Sequence, residues 1–177
     1  MNSRINNTSV PMNEDADVEI QLADATMKNA VIVLLADDDE DDRMMAAEAL
    51  REAGVTNKLQ FVTDGEDLME YLYHRGRYAP PAHSPRPGLL LLDLNMPKKD
   101  GREALREMKA SPAFRSIPVV VLTTSKTEED IEQIYSLGAN SFIAKPVSFE
   151  DLVQAMKVIG EYWFQIVRLP RPGRENK

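Results

Sequence analysis

Apolar and polar residues are arranged along this chain in blocks of two periods. Val31-Ile32-Val33-Leu34-Leu35, Leu89-Leu90-Leu91-Leu92 and Pro118-Val119-Val120-Val121-Leu122 are apolar runs without a polar face. Such runs predict strands buried on both sides, as at the centre of a parallel sheet covered by helices. Lys58 to Val62 and Ser141 to Ala144 read as two further short strands. Between them the spacing becomes helical. Met45, Ala46, Ala49, Leu50 and Ala53 share one face, followed by Leu68, Met69 and Leu72, then Ala104, Leu105 and Met108, then Ile131, Ile134 and Tyr135. A last long helix is predicted from Ser148 to about Val167. Gly54 and Gly138 stand just past helix ends, Thr127 and Ser148 at helix starts, and Asp64-Gly65 and Ser111-Pro112 at turns.

Strands alternating with helices in this way predict βαβ units with right-handed crossovers. The expected fold class is α/β, a doubly wound five-stranded parallel sheet of flavodoxin-like order 2-1-3-4-5. In that order a site forms outside the carboxyl ends of the strands, where strands 1 and 3 lie side by side.

Three stretches fall outside the alternation. Residues 1–28 are rich in Asn, Asp and Ser without periodicity and read as a disordered extension, residues 29–169 as the one domain, and residues 170–177 as a tail. His74 to Gly88 holds four prolines and two glycines and reads as a surface loop. Its two histidines, His74 and His83, are expected to be solvated.

Composition narrows the class of function. The chain has 177 residues, 43% hydrophobic and 28% charged, enough for one domain with a proper core. It has no cysteine, no block resembling a signal peptide and no apolar run long enough to span a bilayer. A cytoplasmic protein without a membrane role is expected. The net charge of -8 argues against general nucleic-acid binding, because phosphate backbones call for clustered Lys and Arg.

The chemistry lies where the strands stop. The Leu89 run ends at Asp93, and Pro97 with Asp100-Gly101 forces a turn before the next helix. Alone, Asp93 reads as a common turn former. On the expected topology, however, Asp37 and Asp38 end strand 1, Thr123 ends strand 4 and Lys145 ends strand 5, all on the same rim. Separate turn formers would not supply three acids, a hydroxyl and an amine together. Three packed carboxylates repel one another, so either some are protonated or a cation is present, and a hard, oxygen-rich site favours Mg²⁺. Asp38, Asp93 and a backbone carbonyl, that of Asn95, would hold it, with Asp37 beside them. One Asp93 oxygen would remain free to attack phosphorus, while Lys145 and the Thr123 hydroxyl contact phosphate oxygens.

Leu34-Leu35-Ala36-Asp37-Asp38, the block Asp93 to Gly101, Val121-Leu122-Thr123-Thr124 and Lys145-Pro146 together resemble a response-regulator receiver domain of two-component signalling, over about residues 30–168. Within that family, Leu92-Asp93-Leu94-Asn95-Met96-Pro97-Lys98-Lys99-Asp100-Gly101 and the aromatic tail at Tyr162-Trp163-Phe164 are similar to single-domain regulators that partner bacterial phytochromes and related histidine kinases. The resemblance implies a phosphoacceptor at Asp93, an acidic pair at Asp37 and Asp38, phosphate sensing by Thr123 and Lys145, a cis peptide at Lys145-Pro146, and an aromatic switch at Phe142. Thr124 stands where many relatives carry Ala, and Phe142 lacks a tyrosine hydroxyl.

Other readings of the acidic run fit less well. Asp37-x-Asp39-x-Asp41 with Glu48 imitates a calcium loop, but its sixth position is Asp42 instead of Gly and a strand precedes it. Asp37-x-Asp39 also matches a haloacid-dehalogenase-like nucleophile motif, which would leave Asp93 incidental. A pseudo-receiver that binds a partner without phosphorylation would not need the full acid, hydroxyl and amine set. No output domain is expected after Val167, so the protein is read as a phosphoacceptor and not an enzyme, signalling through the face of its fourth and fifth helices. The last helix carries more apolar surface than one core stripe needs, so Tyr162, Trp163 and Phe164 are expected at a homodimer or partner interface, the alternative being that Trp163 and Phe164 cover the core.

Overall fold

The computed structural model describes residues 31–82 and 84–170. The expected extension 1–28, His83 and the end of the tail lie outside the described residues. Five parallel strands, β1 (Val33–Ala36), β2 (Leu59–Val62), β3 (Leu89–Leu92), β4 (Val119–Thr123) and β5 (Ser141–Ala144), form one sheet in the order β2-β1-β3-β4-β5. The helices are α1 (Glu40–Glu52), α2 (Gly65–Tyr73), α3 (Gly101–Ala110), α4 (Glu128–Ser136) and α5 (Phe149–Gly160). Among the described residues no helix is long and apolar enough to cross a membrane.

The unbroken apolar runs follow from a core on each face of the sheet. Leu34, Ala36, Leu90, Leu92, Val119 and Val121 point to one side, against Leu68, Leu105, Met108 and Ile134 of α2, α3 and α4. Their neighbours Val33, Leu35, Leu89, Leu91, Val120 and Leu122 point to the other, against Ala46, Leu50, Leu152 and Met156 of α1 and α5. Each fully buried leucine contributes about 2 kcal/mol by area. Every one of the five helices begins on a side-chain cap. Asp39, Asp64, Asp100, Thr127 and Ser148 each accept a hydrogen bond from the backbone N–H three residues on. At Asp100, Glu103 reaches back to complete a capping box.

The structure corrects the sequence reading in four places. Met45 is exposed, because α1 turns Ala46, Ala49 and Leu50 inward and needs no larger residue on that face. Tyr135 is also exposed, and its hydroxyl accepts a hydrogen bond from the Phe142 N–H at 3.3 Å. The last helix is regular only to Gly160, where a Cβ would stand 2.6 Å from Val55 Cγ2. From there Glu161–Ile166 form a π-helical turn. Its wider winding aims Trp163 and Phe164 into the core beneath α1 and α5, so these two cover the chain's own interior and only Tyr162 of the aromatic trio faces outward. The cis bond implied at Lys145-Pro146 is absent. Among the described residues only Pro80-Pro81 is cis, and Lys145-Pro146 keeps the trans form that prolyl bonds ordinarily prefer.

Candidate functional site

Strand register builds the site. Ala36 pairs with Leu92, and the Asp93 N–H donates to Ala36 O at 2.9 Å. The residues that follow the paired strands, Asp37 and Asp93, therefore leave the sheet side by side. Leu92 and Val121 are likewise in register, as are Thr123 and Ala144, which brings Thr123 and Lys145 to the same rim. Asp37, Asp93 and Thr123 are buried, whereas Asp38 is exposed.

Each acid has a distinct environment. Asp37 Oδ1 accepts from the Asp39 N–H at 3.0 Å, and the Asp37 carbonyl accepts from Arg43 at 2.7 Å. Burial raises the Asp37 pKa above the usual carboxylate range, an effect that the hydrogen bond from Lys145 offsets only in part and that the nearby Asp93 charge reinforces. Asp93 Oδ1 accepts from the Leu94 N–H at 2.6 Å and from the Asn95 N–H at 3.3 Å. The turn at the end of β3 thus ties down one phosphoacceptor-candidate oxygen and leaves Oδ2 facing the rim.

Lys145 closes the cluster. Its Nζ donates to Asp42 Oδ2 at 2.6 Å, to Asp37 Oδ2 at 2.7 Å and to Asp93 Oδ2 at 3.0 Å. Burial works against the ammonium, but the three carboxylates outweigh it and hold the Lys145 pKa above that of an ordinary lysine. Oxygens of Asp37, Asp38 and Asp93 lie within 4.8 Å of one another, the only such cluster of potential metal ligands among the described residues. This all-carboxylate set, one acid open to solvent and two buried, fits a hard divalent cation.

Thr123 Oγ1 lies 3.5 Å from Asn95 Nδ2 and 3.4 Å from the Ser125 N–H that donates to it. Phe142 is half-buried on β5 and packs against the core that α4 helps to form. The loop after Asp93 is fixed from both ends. Asp93 O and Leu94 Cα would stand 2.1 and 2.8 Å from a Cβ on Gly101, so only glycine fits there. The Gly65 N–H donates to Lys99 O at 2.9 Å, and Lys98, in left-handed backbone at φ 61°, reaches Asp64 at 2.6 Å.

Asp37, Asp38, Asp93, Asn95, Thr123 and Lys145 are thus brought to one rim, as their strand-end positions predict. Tyr162, Trp163 and Phe164 belong to the last helix and its π-helical turn, and Phe142 lies on β5, beyond β4 from Asp93. Asp42 is the partner that the strand-end pattern does not reveal. Its signal is the cap: with Asp39 capping α1, Asp42 falls in the first turn, where side chains lean back toward the helix start and hence toward the rim.

Comparison with known proteins converges on one family. Residues 33–157 match the family model described as response regulator receiver domain. The response regulator Rcp1 of Synechocystis sp. is 40% identical over 149 residues, covering 84% of this chain and 99% of that protein. The phosphorylated cyanobacterial phytochrome response regulator RcpA superposes with a TM-score of 0.74 at 42% identity, covering 80% of this chain and 99% of that one. The Mn²⁺-bound form of Rcp1 gives a TM-score of 0.73 at 40% identity, with coverage of 80% and 99%.

Proposed function

The chain belongs to the response regulator receiver domain family, and from that premise we propose that it works as a single-domain response regulator, accepting a phosphoryl group on Asp93 from a histidine kinase. The observation that carries this reading is Asp93 Oδ2. It sits on a rigid strand end and faces the rim, where Lys145 is its donor, while Oδ1 is held by two backbone N–H groups. In the transfer this oxygen attacks phosphorus, the bond from phosphorus to the donor's imidazole nitrogen breaks, and the imidazole keeps that electron pair.

Lys145 and Thr123 then contact phosphoryl oxygens, Lys145 as a mobile point charge and Thr123 through its hydroxyl. Mg²⁺, held by Asp38, Asp93 and the Asn95 carbonyl with Asp37 alongside, would draw charge from the phosphoryl oxygens. Movement of Thr123 toward the phosphoryl group would let Phe142 repack and reshape the face made by α4 and α5. The similarity to RcpA, a phytochrome response regulator, supports a phytochrome-type histidine kinase as partner. For a homodimer, the exposed Val158, Tyr162 and Ile166, spaced four residues apart, supply the apolar stripe in place of Trp163 and Phe164.

Intact-mass measurement after incubation with Mg²⁺ and acetyl phosphate tests the reading. Wild type should gain one phosphoryl group, chelation of Mg²⁺ should abolish the gain, and Asp93→Ala should show none. No gain in wild type with Mg²⁺ bound would favour an interaction module that works without phosphorylation.

A further inference from the structure

Lys145 has three ammonium hydrogens, and three different carboxylates take them. Two of those carboxylates, Asp37 and Asp93, end β1 and β3 and belong to the strand-end set. The third, Asp42, stands in the first turn of α1 and makes the shortest contact, 2.6 Å against 2.7 Å to Asp37 and 3.0 Å to Asp93. Asp42 is also the most open of the three, its side chain 32% exposed against 4% and 7%. The ammonium is therefore shared among the three, and its bond to Asp93 is the longest.

That sharing bears on the one oxygen that reacts. Asp93 Oδ1 is held by the backbone of Leu94 and Asn95, so Oδ2 is the oxygen available for attack, and Lys145 is the group that covers it. A carboxylate oxygen whose lone pair accepts a charge-assisted hydrogen bond is a weaker nucleophile, and that hydrogen bond must loosen as the new bond to phosphorus forms.

We propose that Asp42 is a positioning residue for phosphoryl transfer, taking a share of the Lys145 ammonium so that its hydrogen bond to Asp93 Oδ2 stays the weakest of the three and yields when this oxygen attacks. The role rests on Asp93 being the phosphoacceptor. Without the Asp42 charge, Lys145 settles on the two remaining carboxylates and masks the nucleophile. Once phosphate is in place, the same tether keeps the ammonium at the rim, beside the phosphoryl oxygens it must meet.

The test is the rate of Asp93 phosphorylation by acetyl phosphate with saturating Mg²⁺, followed by intact mass in the full chain. Asp42→Asn should slow it about fivefold, the scale of one charge-assisted hydrogen bond exchanged for a neutral one. Asp42→Glu should restore most of the rate. Asp41→Asn, which removes the same charge one residue away from an acid that does not touch Lys145, should leave it unchanged. In a Lys145→Ala background Asp42→Asn should have no further effect, because the group it positions is gone. Thermal unfolding of each variant separates misfolding from mispositioning. Equal rates for wild type and Asp42→Asn, a faster Asp42→Asn, or the same slowing with Lys145 absent would each overturn the role. A wild type that gains no phosphoryl group would instead remove the phosphoacceptor reading, and Asp42 would have nothing to position.

Discussion

Arg102, in the first turn of α3, donates through Nε and Nη2 to the same oxygen of Asp130, in the first turn of α4, at 3.0 and 2.5 Å. The other Asp130 oxygen accepts from the hydroxyls of Ser125 and Thr127. Ser125 lies two residues beyond Thr123, so this carboxylate links the loop that carries the hydroxyl of the site to the helix that follows the Asp93 loop. Any displacement of Thr123 toward Asp93 pulls on that link.

The link should be visible as a pH dependence of stability. Hydrogen bonds from Ser125, Arg102 and Thr127 lower the Asp130 pKa from 3.8 to about 2. A lowered carboxylate pKa means that the folded state binds the proton less readily than the unfolded one. The stabilisation is therefore complete above about pH 4 and fades as the pH falls through about 2. Arg102→Ala should cost up to about 1 kcal/mol at neutral pH, because the pair is partly open to solvent. It should also flatten the loss of stability between pH 4 and pH 2, checked by urea unfolding at a series of pH values.

Trp163 separates a core role from an interface role. It is 9% exposed within one chain, beside Phe164 at 8%. Trp163→Ala should therefore destabilise the isolated chain by about 3 kcal/mol. Tyr162→Ala, at a side chain 47% exposed, should change stability by less than about 0.5 kcal/mol. Chemical denaturation monitored by circular dichroism distinguishes the two, and a stable Trp163→Ala chain would return that residue to the surface.

Gly101→Ala tests the tightness of the loop after Asp93. The added methyl would overlap Asp93 O, a backbone atom that cannot swing aside as a side chain would. A loss of about 2 kcal/mol is expected from overpacking alone. Because the displaced carbonyl belongs to Asp93, the proposed phosphorylation should fall as well, so denaturation and intact mass should report the same substitution.

The parallel sheet and most of the site are legible in the sequence because both depend on short-range pattern. Leu89 to Leu92 has no polar face to give up, so it must be covered on both sides, and Asp93 must leave the sheet where the run stops. Features set by packing between distant segments are harder to see. Tyr135 sits at a helical spacing that suits a core, yet Ile134 alone fills the space behind it. The π-helical turn after Gly160 rotates Trp163 and Phe164 by an amount that no regular period predicts. Asp42 carries no strand-end signature, since it reaches Lys145 from a helix 103 residues away.

The pairing of Ala36 with Leu92 has a consequence for which changes this protein can absorb. Side chains alternate faces along a strand, so a one-residue slip of β1 against β3 would carry Asp37 to the opposite side and about 3.3 Å along. Exchanges among Leu, Ile and Val inside either strand preserve that spacing and trade only packing. A single inserted or deleted codon in β1 would leave the composition of the strand nearly intact and separate the two carboxylates. The spacing of the acids is thus stored as a count of residues, tolerant of spelling and intolerant of length.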